Sequence, residues 1–336
     1  MNPLSSIFGA GVRARNTLYD RGIARANRLR GPVVSVGNLS VGGSGKTPFI
    51  LVLGELLKAR GVKFDILSRG YGRKTRGVAL VDPGGLPQDF GDEPLLLARR
   101  LKVPVIVGED RYEAGLIAEK SFGSQLHLLD DGFQHRALAR DFDIVLVTPE
   151  DARDRLLPAG RLREPLSSLA RADAVVLTSG ASPESFPLDG KLVWRVRRGI
   201  LLADVPVRPV VFCGIARPQN FLLQLRTAGV EPSAQALFRD HHAYTEQDIH
   251  DLLNLRQQSE AEGFVTTEKD AVNLGKYLDA LQPLAVIPVK MELVDAANAV
   301  DTMLRMVAER RARREKIGAG ESVSDSPVSD SARHES

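Results

Sequence analysis

From Pro32 onward, short apolar runs alternate with longer segments whose apolar positions recur every three to four residues. A strand that is apolar throughout is buried on both faces, so this alternation predicts an α/β fold, a mostly parallel sheet flanked by helices. Strands are expected at about 32–37, 63–68, 77–82, 104–107, 126–130, 142–147 and 173–177, with helices at about 47–60, 93–102, 111–122 and 165–171. After a strand-like connector at Leu192–Arg198, a shorter series follows. Its strands are expected near 208–214, 234–238, 262–266 and 284–289, and its helices near 217–228, 245–258 and 270–280. This is a second, smaller α/β domain. The organisation is then an N-terminal helix (1–30), a core (31–200), the smaller domain (201–294), a closing helix (295–316) and a polar tail (317–336) with almost nothing to bury, expected to be disordered.

The N-terminal segment has its own pattern. Leu4, Ile7, Phe8, Val12, Leu18, Tyr19, Ile23 and Leu29 fall within one arc at helical spacing, and Arg13, Arg21 and Arg28 lie opposite. Residues 1–31 carry six arginines against one acid, Asp20. A basic amphipathic helix of this kind suits a membrane interface, and it equally suits a surface helix docked on its own domain.

Composition narrows the class. No apolar run approaches the roughly 18–20 residues needed to cross a bilayer. The single cysteine, Cys213, excludes an intrachain disulfide and a cysteine-based zinc site. With 45 basic and 42 acidic residues the chain carries +3, too balanced for general nucleic-acid affinity. No obligate protein partner is implied.

The strongest chemical signal is Ser40-Val41-Gly42-Gly43-Ser44-Gly45-Lys46-Thr47, between an apolar strand and a helical pattern. Strand, glycine-rich turn, Lys-Thr and helix form a phosphate-binding P-loop: backbone N–H groups surround phosphate oxygens, Lys46 meets the terminal phosphates and the Thr47 hydroxyl ligates Mg²⁺. Ser40 stands where the common pattern has glycine. A P-loop also needs an acid at the end of another strand, and Leu126–Asp131 ends in two, Asp130 and Asp131. Alternation along the strand lets only one follow its direction to the metal, and spacing does not say which. The fold class is therefore of P-loop NTPase type, a nucleotide triphosphatase or kinase, with a nucleoside triphosphate and Mg²⁺ expected at the turn.

The block Val36–Pro48 resembles the nucleotide loop of the tetraacyldisaccharide 4'-kinase family of lipid A synthesis. Further blocks match in order: Ser68–Arg73, Gly91-Asp92-Glu93-Pro94, Asp130–His135, Gly160–Pro165, Asp240-His241-His242 and Thr266–Asp270. The resemblance spans roughly residues 4–304, and in that family the first turn position is commonly not glycine. It implies transfer of the γ-phosphate of ATP to the 4'-hydroxyl of a tetraacyldisaccharide 1-phosphate, giving lipid IVA. It also implies peripheral residence at the cytoplasmic face of the bacterial inner membrane. Four acyl chains do not leave a bilayer readily, which makes the N-terminal helix a membrane foot.

The resemblance also implies roles. Asp92 would be the catalytic base and His241 its partner from the smaller domain. Read on its own, Asp92 followed by Glu93, Pro94 and an apolar run favours a helix N-cap over a base, and His242 is as visible as His241. Arg163, with Arg111 and Arg161, would supply cationic help, and Arg69 and Arg73 would belong to a substrate loop. By themselves Arg111, Arg161 and Arg163 are each compatible with a surface ion pair, and Arg69 and Arg73 with an ordinary flexible loop. Two other classes share some features: a membrane-associated P-loop switch or partitioning ATPase, and a soluble kinase for a small metabolite. The first needs neither the second unit nor an Asp/His pair, and the second leaves the N-terminal helix unexplained.

Overall fold

The computed structural model describes residues 3–318, so the tail expected at 317–336 lies outside the described residues from position 319 on. Among the described residues the larger sheet has nine strands: β1 (Val33–Asn38), β2 (Phe64–Ser68), β3 (Ala79–Leu80), β4 (Val105–Val107), β5 (Leu126–Asp130), β6 (Phe142–Val147), β7 (Ala174–Leu177), β8 (Leu192–Ile200) and β13 (Val289–Leu293). Their order is β13-β8-β7-β6-β1-β5-β2-β4-β3, parallel except at the two edges, where β13 pairs antiparallel with β8 and β3 with β4. β1 is central, paired with β5 on one side and β6 on the other. The connections therefore diverge at the end of β1, the place in an open parallel sheet where a crevice forms beyond the strand ends.

Period-two alternation divides the core. Val34 and Val36 of β1 face one side, packed with Phe49, Leu53 and Leu57 of α2 (Lys46–Ala59), Leu95 and Leu101 of α4 (Asp92–Leu101), and Val300 and Met303 of α9 (Ala296–Gly318). Val33 faces the other side with Leu129, Ile106, and Ala114 and Ala118 of α5 (Arg111–Phe122). Gly37 has no room for a side chain: a Cβ there would sit 2.6 Å from Phe133 Cβ. That close approach seats the turn after β5 against β1.

The smaller unit is a four-stranded, all-parallel sheet of β9 (Pro209–Cys213), β10 (Ala234–Leu237), β11 (Gly263–Thr267) and β12 (Leu284–Ile287), ordered β10-β9-β11-β12. Helices α6 (Pro218–Thr227), α7 (Glu246–Gln258) and α8 (Glu268–Leu274) connect it. The chain enters along β8 and returns along β13, which rejoins the larger sheet. The single strand expected at 284–289 is thus two, divided at Pro288, which has no N–H for a ladder. The helix expected at 270–280 begins at Glu268 and breaks at Gly275, where φ is 52°. The helix expected at 165–171 is a tighter 3₁₀ turn, Leu166–Arg171. α3 (Pro87–Phe90) is a short turn before α4.

Helix α1 (Pro3–Asp20) lies against the larger unit through Gly9 and Val12 and stops before Gly22, whose φ is 69°. Ser5 Oγ donates to the Leu156 carbonyl, and Asn16 and Arg15 both bond Glu164. Ile7 and Leu18, like Ile23 just beyond the helix, remain exposed. No helix among the described residues is long and apolar enough to cross a membrane.

Candidate active site

The glycine-rich turn leaves the buried strand β1 and enters α2 at Gly45, which caps the helix in the left-handed region (φ 88°) and offers no side-chain acceptor. The first N–H groups of α2 are therefore directed toward whatever occupies the turn. Ser40 and Val41 are laced to the 160–165 segment: Val41 N–H donates to the Arg161 carbonyl at 2.8 Å and Arg163 N–H to the Leu39 carbonyl at 2.7 Å. This lacing brings the Arg163 side chain to the phosphate loop.

There Arg163 grips Asp131 with both guanidinium nitrogens, at 2.9 and 2.8 Å, and also reaches Asn38. Lys46 Nζ lies 2.9 Å from Asn38 Oδ1 and 3.4 Å from Asp131 Oδ1. Burial pushes the Asp131 carboxyl up, but Lys46 and Arg163 overcome it and hold the group well below the usual carboxylate range. Asp130 behaves oppositely. It is buried, accepts from Ser68 Oγ at 2.8 Å, and is pushed up to about 7 by desolvation and by the neighbouring Glu93 and Asp131 charges. Its Oδ1, like the Ser40 and Ser44 hydroxyls, is buried without a hydrogen-bond partner among the described residues. An unpaired acid oxygen at the end of β5 and two unpaired hydroxyls of the phosphate turn fit a bound nucleotide triphosphate and its cation. Thr47, in the first turn of α2, is half-buried.

Asp92 opens α4 from the larger unit. Gly91 takes the cap position, with φ 90°, so Asp92 is not the N-cap that its sequence context allows. Its carboxylate accepts from Glu93 N–H at 2.8 Å and otherwise turns toward the smaller unit. His241 Nδ1 lies 3.0 and 2.9 Å from its two oxygens, and Asn273 Nδ2 donates at 3.1 Å. Asp92 is only 4% exposed. Burial raises its pKa, and His241, Lys269 and Asn273 together outweigh burial, leaving it below the ordinary value. For His241, burial lowers and the Asp92 hydrogen bond raises, with the balance upward. His241 sits at φ 56°, a conformation that costs a non-glycine residue of order 1–3 kcal/mol, and its N–H is anchored on the Gly214 carbonyl. His242 faces away: it stacks on Phe238 at 4.6 Å and bonds Asp248 at 3.0 Å.

Glu93 links the two clusters, raising Asp130 on one side and standing 3.6 Å from Lys269 Nζ on the other. Arg111 is buried, donates to the Glu109 carbonyl, and feels Arg69, Asp131 and Asp130. Arg73 and Arg161 are engaged elsewhere. Arg73 pairs with Glu109 and the Gly77 carbonyl, closing its own loop, and Arg161 pairs with Asp154 at 2.7 Å.

Two residues with no motif around them also reach the phosphate loop. A Cβ on Gly43 would lie 3.0 Å from Arg217 Cγ, and one on Gly45 would lie 3.7 Å from Arg198 Nη1. Arg217 heads α6, pairs with Glu150 at 3.1 Å and keeps Nη2 buried without a partner among the described residues. The smaller unit and β8 thus place two cations against the turn. The only sequence signal was their position at strand and helix ends.

A family model described as tetraacyldisaccharide-1-P 4'-kinase matches residues 1–308. The tetraacyldisaccharide 4'-kinase of Koribacter versatilis is 52% identical over 321 residues, covering 93% of this chain and all of that one. The enzyme of the same name from Aquifex aeolicus is 40% identical over 293 residues, 82% of this chain and 89% of its own. A crystal structure of LpxK from Aquifex aeolicus in complex with ATP superposes with a TM-score of 0.74 at 35% identity, covering 91% of this chain and 98% of that one. By sequence along nearly its whole described length and by fold, the chain belongs to the tetraacyldisaccharide-1-P 4'-kinase family.

Proposed function

We propose that this protein is a kinase that transfers the γ-phosphate of ATP to the 4'-hydroxyl of tetraacyldisaccharide 1-phosphate, producing lipid IVA. The observation that carries this reading is the pairing of two centres at one crevice. The Lys46–Asp131–Arg163 cluster lies on the phosphate turn, and a carboxylate, Asp92, is held by His241 from the opposite unit. A P-loop switch needs the first centre and has no use for the second.

In this mechanism the triphosphate lies along residues 40–47, its charge met by the α2 N–H groups, Lys46 and Arg163. Asp92 accepts the proton of the 4'-hydroxyl as its oxygen bonds the γ-phosphorus. The bond to the β,γ-bridging oxygen breaks and ADP leaves with that electron pair. Thr47 and Asp130, with Asp131 beside them, would hold Mg²⁺, which neutralises phosphate charge when bound. Asp130 Oδ1 supports that assignment, being a buried acid oxygen without a protein donor. Arg69 and Arg111 suit the 1-phosphate of the substrate. Arg73 and Arg161 shape the loops around it.

The exposed face of α1 suits peripheral contact with the cytoplasmic side of the inner membrane, where a four-chain substrate resides. Mass spectrometry of the lipid after incubation with ATP and the disaccharide monophosphate tests the reading. One added phosphate on the distal sugar is expected; release of free phosphate with unchanged lipid would favour the switch.

A further inference from the structure

Lys269 follows β11 and stands in the first turn of α8, at the junction of the two units. Its ammonium lies 3.2 Å from His241 Nε2 and 3.0 Å from Asp240 Oδ1, with Glu93 at 3.6 Å and Asp92 at 3.8 Å. We infer that Lys269 is a positioning residue for the reaction: by donating to His241 Nε2 it fixes the imidazole proton on Nδ1, facing Asp92. The inference rests on Asp92 being the base and deepens that reading.

An ammonium has three donors and no acceptor. Its contact with Nε2 is a hydrogen bond only when Nε2 carries a lone pair. The neutral ring must then hold its proton on Nδ1, where the 3.0 and 2.9 Å separations from the Asp92 oxygens suit a donor before a carboxylate. The other tautomer would set an N–H against an ammonium and a lone pair against a carboxylate, making both contacts repulsive.

The direction of the dyad follows. His241 donates to Asp92 and cannot take a proton from it without losing Lys269. The proton leaving the sugar hydroxyl therefore rests on Asp92. Room exists for it, because among the described residues Asp92 otherwise accepts only from Glu93 N–H and Asn273 besides His241, out of about four lone-pair directions.

The two donors share one scaffold. Gly214 accepts the His241 N–H through its carbonyl and gives its own N–H to Asp270, the neighbour of Lys269, at 2.7 Å. Asp270 is buried and also bonds Thr267 and Tyr244. Charged and titratable groups face the imidazole from several elements: Asp92 from α4, Asp240 from its own loop, Lys269 from α8, and the Tyr71 ring at 5.2 Å, while Glu93 of α4 stands 3.6 Å from the Lys269 ammonium. Glu268 is occupied by Arg100. Among these, Lys269 is the cation that opposes imidazolium formation.

The test is ¹⁵N NMR of histidine-labelled full-length protein over a pH series, beside the pH dependence of kcat/KM. In the unsubstituted protein the neutral His241 ring should carry its proton on Nδ1. In Lys269→Met the tautomer should relax toward Nε2, and the ionisation of His241 should move up by about one pH unit. Imidazolium weakens Asp92 as a base, so activity falls as pH drops through that ionisation, and in the variant the fall should begin at higher pH. Lys269→Arg should keep the Nδ1 proton. A neutral ring protonated on Nε2 in the unsubstituted protein overturns the inference, as does a Lys269→Met variant that changes neither tautomer nor acid limb. The tautomer is read without turnover. It stands or falls separately from lipid phosphorylation, and it decides alone if Lys269→Met does not fold.

Discussion

Asp130 and Asp131 are adjacent in the chain and are driven in opposite directions: Asp130 is raised to about 7, while Asp131 is held well below the ordinary range. The backbone causes the divergence. β5 ends at Asp130, and Asp131 turns into the left-handed region at φ 49°, which swings its carboxylate to Lys46 and Arg163. Asp130 stays over Ser68.

Their substitutions should therefore differ in kind. Asp131→Asn keeps the volume but releases two cations from their positions, and kcat should fall by about 10²-fold or more at saturating Mg²⁺. Asp130→Asn removes the unpaired acid oxygen and should chiefly raise the Mg²⁺ concentration needed for half-maximal activity. Steady-state rates across a Mg²⁺ titration separate the two, and identical profiles would show that the carboxylates share one task.

Much of this site was legible because its groups are tied to local pattern. Ser40–Thr47 announces itself by strand, glycines and Lys-Thr, and its turn stands where the hydrophobic alternation places it. The pairing of Asp92 with a histidine from a distant segment was legible only through family resemblance, since 149 residues separate them in the chain. What sequence could not resolve was orientation. His241 and His242 differ by a positive φ at one of them, and Asp131 differs from Asp130 by one turn of the backbone. Arg198 and Arg217 carry no local signal for another reason: the return of the chain through β13 sets the smaller unit over the turn, and no short-range pattern encodes that.

Arg217 gives a second prediction. Its side chain covers Gly43 and retains a buried, unpaired Nη2 beside the loop, so it should bond a nucleotide phosphate. A hydrogen bond to a charged group is worth about 1.5–3 kcal/mol, and Arg217→Ala should raise the Kd for a nonhydrolysable ATP analogue by about tenfold or more. The KM for lipid should be unchanged. Calorimetric titration measures the first quantity, and an unaltered Kd would assign Arg217 solely to its pair with Glu150.

Glu164 predicts a pH-dependent latch. It is fully buried and joins Arg171, Arg15 and Asn16, which ties α1 to the larger unit. Burial raises its pKa, and Arg171 with Asn16 and Ser168 more than reverses this, leaving it lowered. A carboxylate lowered on folding contributes stability above its ordinary value of 4.5, and that contribution is lost as pH falls through the lowered value. Glu164→Ala strands Arg171 and should cost roughly 3 kcal/mol near neutral pH. Glu164→Gln should cost less and flatten the acid side of the stability curve. Urea melts at several pH values decide; equal losses at every pH would mean that the charge of Glu164 is irrelevant.

The last prediction concerns the outer face of α1 and the residues just beyond it. Ile7 is 70% exposed and Ile23 is 67% exposed, so neither contributes much to folding, and changing them should leave the melting temperature nearly unaltered. If that face enters a membrane interface, each isoleucine buries its side chain there for roughly 1.5–3 kcal/mol. Ile7→Glu combined with Ile23→Glu should then weaken co-sedimentation with anionic vesicles by at least about a hundredfold. In a soluble assay with a short-chain acceptor, kcat should stay the same, because Ile7 on the solvent side of α1 and Ile23 beyond its end are both exposed and the inner face of the helix, Gly9 and Val12, is untouched. Unchanged vesicle binding would leave the apolar face without a membrane role and return α1 to being a helix docked on its own domain.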